Sequence, residues 1–144
     1  MSVAEELAID IIAREYGASI VNQKIYESLT ASAVSTTTIT PKKNSAFIVT
    51  DIRLGSHTAN VITLKINADS NEVFNDTITP ALERESLRTA GVGTVSYNSF
   101  VVELTNTDSS SRTVDVYIRG FEINKNDVDN FMRDVVNSEV GASK

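Results

Sequence analysis

Between positions 47 and 123 the chain repeats one pattern: a short apolar or alternating run, then a polar run of Ser, Thr, Asn, Asp or Gly. Residues 46–54 are nearly continuously apolar, which predicts a strand covered on both faces. In residues 61–68 the alternation is clean, with Ile62, Leu64, Ile66 and Ala68 on one face and Thr63, Lys65 and Asn67 on the other. Asp69-Ser70-Asn71 is a turn signal, and residues 73–78 are the predicted hairpin partner. Strand character resumes over 95–105, with Phe100, Val102 and Leu104 on one face. The last strand is predicted over 113–123, with Val114, Val116 and Ile118 facing inward. Beyond Gly120 the apolar residues change parity, to Phe121 and Ile123, which predicts a β-bulge at Gly120.

The period is different at the two ends. Ser2-Val3-Ala4-Glu5 is a capping box, and Val3, Leu7 and Ile11 follow at intervals of four with Ile12 alongside. Ile20, Val21, Ile25 and Leu29 restart a similar stripe after Gly17. Residues 1–30 therefore read as a helical segment, either two short helices or one helix bent at Gly17. Residues 31–43 are rich in Ala, Ser and Thr and read as a linker or an edge strand, broken at Pro41. Residues 44–124 form the predicted sandwich. Residues 125–144 form a short C-terminal helix, with Val128, Phe131, Met132, Val135 and Val136 as its apolar stripe, and a fraying tail. The expected fold class is mainly β: a jelly-roll-like antiparallel β-sandwich flanked by an N-terminal helix, or kinked helix pair, and a short C-terminal helix. An immunoglobulin-like sandwich is the alternative. The spacing does not indicate an alternating strand–helix fold.

Composition narrows the classes of function. At 144 residues and 15.6 kDa the chain has the size of one domain with a real core. Its formal charge of −6 and pI near 4.7, with thirteen scattered Lys and Arg, argue against nucleic-acid binding. The absence of Cys removes disulfides, thiolate catalysis and Cys-ligated metals. No apolar run approaches the ~20 residues needed to cross a bilayer, so no membrane partner is expected. The first residues carry acids where a secretion signal carries basic residues.

Candidate chemistry is thin. His57, the single histidine, sits in Gly55-Ser56-His57-Thr58, which reads as a turn. Asp69, Asn71 and Glu72 offer oxygen donors but lack the spacing of a calcium-binding EF-hand loop. Glu83 and Glu85 alternate with Arg84 and Arg88, which more simply makes a solvated ion-pair patch than an acid–base pair. Gly91-Val92-Gly93 is too short for a dinucleotide fingerprint, and Lys42-Lys43 is too small for a nucleic-acid footprint. Asp127 and Asp129 suit the start of the last helix. Tyr97 and Tyr117 are the candidates for sugar stacking, weighed against ordinary packing. No cofactor and no metal site are expected.

Ser45-Ala-Phe-Ile-Val-Thr-Asp-Ile-Arg-Leu54, the alternating strand over 61–68, the polar turn over 106–111, and Thr113-Val-Asp-Val-Tyr-Ile-Arg-Gly-Phe-Glu-Ile123 together resemble small β-sandwich accessory proteins of tailed-phage virions. The shared pattern covers roughly the central half of the chain. The resemblance implies a non-enzymatic virion structural protein, a capsid decoration or neck/tail-attachment component assembled in the host cytoplasm, with copies of itself and other virion proteins as partners. The expected partner contacts lie on the helices, at Leu7, Ile11, Ile12, Phe131 and Val135. The alternatives are a carbohydrate-binding β-sandwich module using Tyr97 and Tyr117, and a hydrolase using Glu83 or His57.

Overall fold

In the computed structural model, residues 3–55, 60–79 and 94–142 are described. His57 and the irregular segment 80–93, with Glu83, Glu85 and the Gly91–Gly93 pair, lie outside them. In chain order come helix α1 (Val3–Glu15), strands β1 (Ser19–Leu29), β2 (Val34–Ile39), β3 (Ser45–Leu54), β4 (Ile62–Ala68), β5 (Asn71–Thr77), β6 (Val95–Ser96), β7 (Phe100–Asn106) and β8 (Arg112–Asn124), a 3₁₀ turn (Lys125–Asp127) and helix α2 (Val128–Ala142).

Gly17 stops the first helix rather than bending it. Its φ of +67° is left-handed, and the Gly17 N–H bonds the Arg14 carbonyl while the Ala18 N–H bonds the Ala13 carbonyl. That is a Schellman cap, which a glycine makes without a Cβ penalty. Residues 19–29, expected to be helical, are strand β1, paired with β8 from Ser19↔Glu122 to Leu29↔Arg112. The reason is arithmetic. Val21, Ile25 and Leu29 are four apart, and four is an even number, so they share one face of a strand as well as of a helix. Polar Gln23 and Glu27 occupy the positions between them and hide the alternation. Residues 34–39, left open between linker and edge strand, are an edge strand paired with β7.

Two four-stranded antiparallel sheets face each other, in the orders β1-β8-β3-β6 and β2-β7-β4-β5. First strand pairs with last, second with seventh, third with sixth and fourth with fifth, which is the order of a jelly roll. The β4–β5 hairpin turns on Asp69 and Ser70, with φ of +51° and +70° as a two-residue type I′ turn requires. The predicted strand over 95–105 is divided: β6 belongs to one sheet and β7 to the other, with Tyr97–Ser99 crossing between them.

The core has two parts. The larger lies between the sheets, built on Phe47, Ile52, Leu64, Ile66, Phe100, Leu104, Val116 and Ile118. The smaller lies on the outer face of the β1-β8-β3-β6 sheet, where Ala46, Ile48, Phe121 and Ile123 meet Ile9 and Ala13 of α1 and Val128 and Phe131 of α2. This second cluster explains the parity change after Gly120. The alternation of β8 continues unbroken: even positions face the sandwich, and odd positions 121 and 123 face outward into helices. The bulge lies on the partner strand, at Thr50 of β3, where Val49↔Gly120 is followed by Asp51↔Arg119. Gly120 is needed for space, because a Cβ there would fall 2.3 Å from the Ile48 carbonyl and 2.5 Å from the Phe47 ring.

The helices thus pack on their own chain. Phe131 is 1% exposed and stacks edge-on against Tyr16 and Phe121. It has no surface left for a partner, which corrects the expectation made for it. Ile12 and Val135 are partly buried against the same cluster. Ile11 is exposed on α1, and the side chain of Leu7 lies outside the described residues. Tyr16 donates its hydroxyl to Asp134, which fastens the end of α1 to α2. That bond, then burial, then the Asp134 charge hold the phenol above its usual pKa.

Candidate interaction surface

The helices cover only one half of the outer face of the β1-β8-β3 sheet. Over the other half, no described element covers the outward side chains of three strands, which are exposed or half-buried. Register sets them in rows: Lys24, Tyr117 and Arg53 across the middle; Asn22, Arg119 and Asp51 toward the helices; Tyr26 and Asp115 away from them. The rows enclose an open groove of about 610 Å³ lined by Asn22, Lys24, Asp51, Arg53, Tyr117 and Arg119. Asp10 of α1 reaches one of its lining residues, with Oδ1 3.0 Å from Arg119 Nη2.

Its charges are balanced at short range. Arg53 Nε lies 2.6 Å from Asp51, and the Lys24 ammonium sits 5.5 Å from the Tyr117 ring centroid. Gly55 allows the close approach at its margin, since a Cβ there would meet Asp115 Cβ at 2.7 Å. The face holds two large exposed aromatics, Tyr26 at 62% and Tyr117 at 40% exposure, and Ile20 at 53% lies on the same side of β1. Such a mixture of tyrosine and arginine, with charges already neutralised within the surface, is the composition of protein interfaces.

Beside this face runs an open edge. Along its eleven residues β1 is laddered to β8, and it is the end strand of the sheet. Among the described residues no strand pairs with its other side, and a long edge without proline, carrying exposed apolar and aromatic residues, offers backbone N–H and C=O groups to another strand. Lys24, the charge best placed to guard it, is drawn over the Tyr117 ring instead.

The remaining sequence candidates separate. Asp69, considered as a calcium donor, spends its carboxylate on the backbone: Tyr97, Asn98 and Ser99 donate N–H to it at 2.9, 2.6 and 3.1 Å. Burial pushes its pKa up, but the three donors outweigh burial and hold it below the usual value. Among the described residues no group of three His, Cys, Asp or Glu is arranged to hold a metal ion. Tyr97 and Tyr117 do not form one platform; Tyr117 lines the groove, and Tyr97 lines a separate depression beside Lys42, Lys43 and Lys125. Among the described residues no helix is long and apolar enough to cross a membrane.

The groove was missed in the sequence because reading 19–29 as helix scatters Asn22, Lys24 and Tyr26, whereas strand geometry lines them up. The signal was present in the odd positions Asp115, Tyr117 and Arg119 of the last strand, where polar and aromatic residues replace the apolar pattern found at 121 and 123.

The structure defines a small jelly-roll protein with one half-covered sheet. No family model and no curated protein matches the chain. Among solved structures it is similar to dimeric latent PorU from Porphyromonas gingivalis, at 9% identity and a TM-score of 0.31, over 73% of this chain and 13% of that one. A likeness of that size carries no argument about function.

Proposed function

We propose that this chain is a non-enzymatic structural protein of a virion, a capsid decoration or neck/tail-attachment component that assembles in the host cytoplasm through contacts between copies of itself. The observation that carries the reading is the pairing of an open eleven-residue edge strand with a bare, tyrosine-bearing half-sheet next to it. A second copy placed along β1 satisfies the edge and covers Ile20 and Tyr26 together. The outermost contacts move from the helices, where the sequence placed them, to β1 and the half-sheet, because Phe131, Ile12 and Val135 pack within the chain; of the described helical candidates Ile11 alone stays exposed.

The test is native mass spectrometry of the full chain and of the double variant Ile20→Lys/Tyr26→Lys. The expected result is a defined oligomer for the parent and a monomer with unchanged circular dichroism for the variant. A parent that stays monomeric at the highest soluble concentration, or a variant that keeps the parent's mass, overturns the reading. Deleting residues 1–30 is the wrong probe, since it removes β1 as well as α1.

A further inference from the structure

The depression beside Tyr97 is assembled from three distant parts of the sequence. The turn before β3 brings Lys42, Lys43 and Asn44; the crossing between β6 and β7 brings Tyr97 and Asn98; the 3₁₀ turn after β8 brings Lys125. The cavity has a volume of about 400 Å³, within the range of small-ligand sites. Three of the six lysines in a chain of net charge −6 line it, and among the described residues its lining contains no acid. Glu122 reaches Lys42 from outside the lining, at 3.9 Å.

Each part is held by bonds to its backbone, which do not use the side chains that line the depression. The Ser45 N–H closes the turn onto the Lys42 carbonyl, and the Lys125 N–H bonds the Asn44 carbonyl. Asp69 fixes the three successive N–H groups of Tyr97, Asn98 and Ser99. Tyr97 is 47% exposed, so a ring face is available, and its position is set by its neighbours' backbone rather than by burial.

We propose that this depression binds an acidic sugar, a pyranose bearing a carboxylate. The lysines supply point charges for the carboxylate. Tyr97 offers an apolar face on which a sugar ring stacks. The amides of Asn44 and Asn98, which both donate and accept, suit ring hydroxyls that do the same. An anion without such a face, such as phosphate, would use the lysines but gain nothing from Tyr97. The site is independent of the half-sheet groove and of the assembly proposed above.

The test is a ¹H–¹⁵N correlation titration of the full chain with trigalacturonate, with maltotriose as the neutral analogue and inorganic phosphate as the bare anion. Trigalacturonate should shift amides at 42–45, 97–98 and 125, and should do so more weakly as salt is raised. Tyr97→Ala and Lys43→Gln should each weaken it by about fivefold, with the remaining spectrum unchanged as evidence of folding. Failure of trigalacturonate to shift these amides overturns the proposal. So does equal binding of maltotriose, or binding of phosphate and trigalacturonate alike with no effect of Tyr97→Ala, which would make the depression a simple anion site.

Discussion

Asn106 at the end of β7 is fully buried and uses its whole side chain. Its Nδ2 lies 3.1 Å from the Leu29 carbonyl, 3.1 Å from Thr30 and 2.9 Å from Ser110, and its Oδ1 accepts from the Asp108 N–H at 3.0 Å. It therefore joins the end of β1 to the β7–β8 turn, while its own N–H bonds the Ala33 carbonyl between β1 and β2. We predict that Asn106→Ala costs ~2 kcal/mol: the two Nδ2 hydrogens serve three carbonyls, one of them shared, so with the Oδ1 bond about three bonds at ~1 kcal/mol each are lost, less what water restores at the exposed Ser110 end. Asn106→Asp keeps the shape but replaces two donors by a carboxylate facing three carbonyls. Its folded-state pKa should then lie above the unfolded value of about 3.9, because burial and the carbonyl dipoles both disfavour the charge. With a raised pKa the variant's relative stability is best below the unfolded value, where a protonated carboxyl again donates. It falls as pH rises, by up to ~1.4 kcal/mol per unit, until the folded pKa is passed. Urea unfolding of parent and both variants at acid and neutral pH measures this. A deficit for Asn106→Asp that does not grow with pH, or an Asn106→Ala cost under ~1 kcal/mol, would refute the assignment of Asn106 as a buried clamp.

Two further substitutions follow from geometry. Gly120→Ala should cost ~3 kcal/mol or more, because the added methyl meets the Ile48 carbonyl and the Phe47 ring in a packed core; a melting temperature within a degree of the parent would contradict it. Asp69→Asn keeps the left-handed turn, which asparagine tolerates, but removes the anionic acceptor, and should cost ~2 kcal/mol at neutral pH. Since the Asp69 pKa is lowered by folding, its contribution is present above the ordinary carboxylate value and is lost as pH falls through the folded one; the parent and variant stabilities should therefore converge in acid, and a constant difference would count against the clamp.

The β-rich centre was legible because β4 and β7 alternate strictly, each with one face in the core and one outside. The run read at 46–54 as covered on both faces is so only over 46–49, between the opposite sheet and the helices; beyond the bulge at Thr50 the outward Asp51 and Arg53 line the groove. What sequence could not show was which cover lay where. Phe121 and Ile123 signalled an extra buried face, but a bulge and a docked helix leave the same trace in one strand. The first half of the chain was harder still, because a four-residue spacing serves helix and strand equally and only the cap at Gly17 separates them. The groove and the lysine depression depend on neighbours far apart in sequence, so no local pattern could assemble either.

The strand order also has a consequence for how the chain must be made. Every ladder partner of β1, β2 and β3 comes from β6, β7 or β8. β8, an inner strand of one sheet, follows every other described strand in chain order, so β1 waits about ninety residues for its partner. Until then the apolar run of β3 has only the two residues of β6 to pair with in its own sheet. Folding is thus a late, largely all-at-once closure rather than a stepwise growth from the N-terminus.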